Sequence, residues 1–68
     1  MTHYADKTIA YIDRNYADEI LEIEVVDFLP RRGQPLTLVT PFADHWIIFE
    51  VKLLTDSVFT ALVYLGRA

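Results

Sequence analysis

Tyr4-Ala5-Asp6-Lys7-Thr8-Ile9-Ala10-Tyr11-Ile12-Asp13-Arg14-Asn15-Tyr16 is the stretch on which the fold turns, because it carries two patterns at once. Ala5, Ile9, Ile12 and Tyr16 fall at i, i+4, i+7 and i+11, a single apolar stripe along a helix. Thr2 can cap the start, Asp6 sits near the positive end of the helix dipole, Arg14 near the negative end, and Asn15 suits a C-terminal position. The rival is a strand over 8–13, since Thr8, Ile9, Tyr11 and Ile12 all favour β structure. The stripe with its capping residues predicts a helix over 3–16.

Beyond Tyr16 the period changes to two. Over 19–28, Leu21, Ile23 and Val25 alternate with Glu22 and Glu24, the pattern of a strand with one wet face. The Val25-Val26 pair breaks the alternation and suggests a bulge, or a strand that becomes buried on both sides. Pro30-Arg31-Arg32-Gly33-Gln34-Pro35 reads as a turn, followed by a short strand over 36–40. A third strand is expected over 46–53, with Ile47, Phe49, Val51 and Leu53 on one face and Trp46, Ile48, Glu50 and Lys52 on the other. Thr55-Asp56-Ser57 turns the chain. Residues 58–65 admit a helix capped by Thr55 and stopped by Gly66, but Val58, Phe59, Thr60, Val63 and Tyr64 favour a fourth strand. The expected fold class is α+β: one domain over 1–68, with an N-terminal helix packed on a four-stranded antiparallel meander.

A chain of 68 residues hides about 60% of its unfolded surface, so stability is marginal. There is no cysteine, which removes disulfides and thiolate metal sites as staples. Hydrophobic residues nevertheless make up 53% of the chain, with nine aromatics, more than one small core easily hides. With Ile47, Phe49 and Val51 turned toward the helix, Trp46 and Ile48 turn away from it. Leu62 and Tyr64, or Phe59, Ala61 and Val63, join them according to register. Trp46, Ile48 and Tyr64 are therefore the candidate apolar interface, with a homodimer or a partner surface as its use. The first residues show no basic and apolar signal region, and no apolar run approaches the ~20 residues of a membrane span. The chain reads as a complete open reading frame of a soluble, cytoplasmic protein with no membrane partner.

Little in the chain proposes catalysis. The histidines are His3 and His45 and the one serine is Ser57, in a predicted turn without a glycine elbow. Asp44 and His45 are adjacent, so on a strand they point to opposite faces. The histidines show no ligand spacing, the carboxylates form no calcium loop, and Gly33 and Gly66 make no phosphate loop, so no cofactor or metal is expected. The expectation is a binding protein, not an enzyme. Arg31-Arg32 could grip an oxyanion, but a solvated turn is where arginines commonly sit.

Charge layout is the better lead. The first 27 residues hold seven carboxylates against Lys7 and Arg14, a net −5, whereas residues 28–68 carry +1. A whole-chain charge of −4 opposes direct nucleic-acid binding, which demands the other sign. Glu22 and Glu24, two apart on a predicted strand, project to one side roughly 6.6–6.8 Å apart. That is comparable to the step between successive phosphates along one nucleic-acid strand. With Asp13, Asp18, Glu19 and Asp27 they form the candidate acidic surface, suited to a basic groove built for nucleic acid. The simpler alternative is that these residues keep an apolar small domain soluble.

The stretch Asp18-Glu19-Ile20-Leu21-Glu22-Ile23-Glu24, in a compact, acidic, cysteine-free chain, resembles the small inhibitors that phages and mobile elements encode. In size and charge the chain is similar to anti-CRISPR proteins, several of which act as nucleic-acid mimics on Cas complexes. The resemblance implies a non-enzymatic inhibitor that blocks target-DNA access to its effector, a type I multisubunit complex, in the host bacterial cytoplasm. A small structural, antitoxin-like or assembly module acting through the apolar sheet face is the alternative.

Overall fold

The computed structural model describes residues 6–68, and all its regular structure is strand. Five strands follow one another: β1 (Lys7–Asp13), β2 (Ile20–Val26), β3 (Pro35–Thr37), β4 (His45–Leu53) and β5 (Ala61–Arg67). They form one curled, half-barrel sheet in the order β2-β1-β5-β4-β3. β1 pairs antiparallel with β2 and parallel with β5, while β5-β4-β3 is an antiparallel meander.

The expected α+β fold is thereby corrected. Residues 7–13 are a strand, the rival reading, and the part of the expected helix over residues 3–5 lies outside the described residues. The sheet is mixed and five-stranded, not a four-stranded meander. The physical reason lies in the position of β1 between β2 and β5. A strand covered on both faces needs no alternation, and Ile9, Ala10, Tyr11 and Ile12 are all buried. That unbroken apolar run also satisfies helical spacing. In the sheet Ile9 and Ile12 point to opposite faces, so the stripe is a coincidence of composition.

One face carries the core: Ile9 and Tyr11 from β1, Trp46 and Ile48 from β4, and Ala61, Val63 and Leu65 from β5. The register confirms the shared face, since Ile9 opposes Ala61, Tyr11 opposes Val63 and Ile48 opposes Leu65. Among the described residues no helix covers this face. Leu29, Leu36, Leu38 and Ala43, from the segment between β2 and β4, pack against it instead. The Trp46 indole Nε1–H donates to the Leu38 carbonyl at 2.8 Å, tying that segment down. A single sheet under a thin cover is elongated, 41 × 21 × 20 Å, with a Cα radius of gyration of 12.2 Å against ~11 Å for a compact chain of this length.

Trp46 and Ile48, expected to face outward, are each 1% exposed in the core. Ile47 and Phe49, expected inward, lie on the outer face and are partly exposed. A register shift between Ile48 and Glu50 leaves Phe49 as the extra residue and returns Val51 to the core side. The expected irregularity at Val25-Val26 is absent, as both pair regularly with Thr8 and Lys7. The β1–β2 ladder instead shifts at Leu21, between the Tyr11–Glu22 and Ile12–Ile20 pairs. The last strand begins at Ala61, because 54–60 form the turn, with Asp56 in the left-handed region at φ 55°. At the other turn Gly33 takes φ 88° between Arg31 and Gln34, where the Gln34 N–H donates to the Arg31 carbonyl at 3.1 Å.

Candidate partner-binding surfaces

β2 is an edge strand, exposed along most of its length. Glu22 opposes Tyr11 and Glu24 opposes Ile9, so both carboxylates project on the core side of the sheet, at its rim. Tyr11 fixes one of the two, Glu24. Its hydroxyl donates to Glu24 Oε1 at 2.7 Å, which gives a buried ring a partner at its polar tip. Burial, then the hydrogen bond and the nearby Glu24 and Glu22 charges, push the Tyr11 phenol well above its ordinary range.

Asp18 and Glu19 lie in the turn before β2, and Asp27 follows it; all three are exposed. The Lys7 ammonium donates to the Asp27 backbone carbonyl at 3.1 Å, not to its carboxylate. Asp18, Glu19, Glu22, Glu24 and Asp27 thus run along one edge of the molecule. Asp13 does not join them. It is 1% exposed, its Oδ1 accepts the Asn15 N–H at 2.9 Å, and its Oδ2 accepts Arg67 Nη2 at 3.3 Å. Among the described residues Asp13–Arg67 is the only ion pair, so the five edge carboxylates carry no cationic partner there.

Of the three residues expected at an apolar interface, Trp46 and Ile48 belong to the core, and Tyr64 alone lies on the outer face, half-buried. The outer face is apolar nonetheless. The register places Ile23 and Val25 of β2 beside Ala10 and Thr8 of β1, with Leu62 and Tyr64 of β5 beyond. Ile23 is 56% and Val25 61% exposed. Arg14 covers part of this face, its guanidinium 3.7 Å from the centre of the Phe49 ring. Gly66 lies beneath its stem, where a Cβ would meet Arg14 Cδ at 3.5 Å.

A cleft of about 580 Å3 opens between the β1–β2 turn and Phe42, lined among others by Asn15, Tyr16, Asp18 and Glu19. Tyr16 and Phe42 stack across it, with ring centres 6.4 Å apart and planes 16° from parallel. Sequence reasoning placed Tyr16 on the apolar stripe of the expected helix and passed over Phe42, and the 26 positions between them hid the pairing. Neither Ser57 nor His45 lines the cleft: Ser57 lies beyond one end of β4 and His45 at the other, and the Ser57 hydroxyl accepts the Phe59 N–H at 3.1 Å. Arg31 and Arg32 occupy an exposed turn. Among the described residues no three His, Cys, Asp or Glu side chains converge on a point that could hold a metal ion. No helix among them is long and apolar enough to cross a membrane. Comparison with protein-family models, with curated proteins and with solved structures finds no match to the chain.

Proposed function

We propose that the chain is a non-enzymatic acidic protein that occupies the basic, nucleic-acid-binding groove of a protein complex. The supporting observation is the row of five exposed carboxylates on β2 and its flanking turns. The strand alone is ~20 Å long at 3.3–3.4 Å per residue. Glu22 and Glu24 stand on one side of it, and Tyr11 holds Glu24 in place, so less side-chain freedom is lost on docking. Fixed like charges along an edge attract a cationic groove and speed encounter with it. A Cas effector, which the resemblance to anti-CRISPR proteins implies, is a target of this kind.

Capture from bacterial lysate at low and high salt tests the reading. A nucleic-acid-binding complex is expected, released by salt, competed off by DNA, and lost on combined Glu22→Lys and Glu24→Lys substitution. Capture that survives both salt and charge reversal removes it.

A second reading rests on the exposed apolar part of the outer face, where Ile23 and Val25 lie open together with Ile20, Ile47 and Phe49. There the chain is an assembly module, and binding resists salt but fails when Ile23 and Val25 become polar.

A further inference from the structure

The two edges of the sheet are unlike. β3 is three residues long and begins with Pro35, which has no N–H to offer a new strand. β2 is seven residues long, contains no proline, and among the described residues pairs on one side only. Alternate backbone N–H and C=O groups of such an edge point away from the sheet, a ready template for another strand.

The side chains of β2 select what can add there. Glu22 and Glu24 project on the core side, and Ile23 and Val25 on the outer side. A second copy of β2 is a poor fit. Every two-fold antiparallel register that pairs most of the strand, and keeps the two outer rows on one face, sets a glutamate directly opposite a glutamate. Like charges in that position destabilise the ladder. The carboxylates therefore guard the edge against self-pairing and leave it open to the opposite charge.

We propose that β2 binds its partner by strand addition, taking up an extended segment in which Lys or Arg alternates with apolar residues. The basic side chains then lie opposite Glu22 and Glu24, the apolar ones extend the row of Ile23 and Val25, and main-chain hydrogen bonds supply affinity. The inference rests on the acidic reading of β2 and specifies how the partner is held.

Two synthetic peptides of identical composition test it, one alternating Lys and Val, the other with the lysines and valines in separate blocks. A third, alternating peptide carries backbone N-methyl groups along one edge. Titration of the intact protein, followed by fluorescence anisotropy and amide hydrogen exchange, reads affinity and location. The alternating peptide is expected to bind at least ten-fold tighter than either control and to slow exchange within β2. Equal binding of all three, abolished by Glu22→Lys with Glu24→Lys, overturns strand addition while leaving the acidic reading intact. Failure of the alternating peptide to bind also overturns it, and lysate capture with DNA competition then decides the acidic reading separately. Slowed β2 exchange in a peptide-free dimer overturns it in favour of a second copy.

Discussion

Arg67 Nη2 donates to Asp13 Oδ2 at 3.3 Å, joining residues 54 positions apart at the matching ends of the parallel strands β1 and β5. The pair is unequal: the Asp13 side chain is 2% exposed and that of Arg67 42%. Solvent around Arg67 weakens the Coulomb attraction, so most of what Asp13 contributes comes through the bond from the Asn15 N–H, which closes the turn after β1. Asp13→Asn, which keeps an oxygen for that N–H, is expected to cost at most ~1 kcal/mol. Asp13→Ala, which removes it, is expected to cost about 1–3 kcal/mol. Urea unfolding followed by circular dichroism compares them, and equal costs would place the weight on the ion pair instead.

The Tyr11 phenol gives the molecule an alkaline limit. Its folded pKa is raised above the ordinary value of 10.0 by burial and by the Glu24 carboxylate it donates to. The protonated form is favoured in the folded state, so this contribution is fully present below about pH 10. It is lost as pH rises further, because the unfolded chain then releases the proton first. Tyr11→Phe is expected to be less stable than wild type at pH 7, by ~1 kcal/mol for the lost hydrogen bond. The difference is expected to shrink above pH 10. Paired urea titrations at pH 7 and pH 10.5 measure it, and a constant difference would mean that the phenol is not held protonated by the fold.

Four of the five strands were legible in the sequence, and β1 was not. Residues 19–28, 36–40, 46–53 and 58–65 each contain or overlap an observed strand, because glutamates, prolines, turn residues and β-favouring side chains mark them off. β1 was misread as helix because burial on both faces erased its period. Its placement between β2 and β5 is a non-local choice that leaves no periodic trace in residues 7–13. The facing of β4 was inverted for a related reason. Alternation distinguishes two faces without saying which is covered, and the bulge at Phe49 moves Val51 to the other row. The acidic edge was legible because its carboxylates are neighbours in sequence. The withdrawal of Asp13 from it was not, since the partner is Arg67 at the far end of the chain.

Trp46 tests the inversion directly. As a surface anchor it would tolerate truncation with little loss of stability; as a core residue it cannot. Trp46→Phe keeps an aromatic ring but leaves the Leu38 carbonyl without its donor, an expected cost of about 1–3 kcal/mol. Trp46→Ala opens a cavity as well, at about 3–5 kcal/mol, a large part of the stability of a domain this small. The truncated chain is expected to lose cooperative thermal unfolding by circular dichroism. A cooperative transition near that of wild type would return Trp46 to the surface.

The outer face makes the opposite demand. Ile23 and Val25 are more than half exposed, so Ile23→Thr with Val25→Thr removes little buried area while keeping β-branched side chains that suit a strand. The expected change in stability is within ~0.5 kcal/mol per site, as for ordinary surface positions. Solubility, by contrast, is expected to rise and any concentration-dependent growth in apparent mass to fall, because the apolar patch has been interrupted. Light scattering across a concentration series, beside a urea curve for the same variant, separates the two effects. A loss of several kcal/mol would show that this face is covered within the folded chain, and the assembly reading would fall with it.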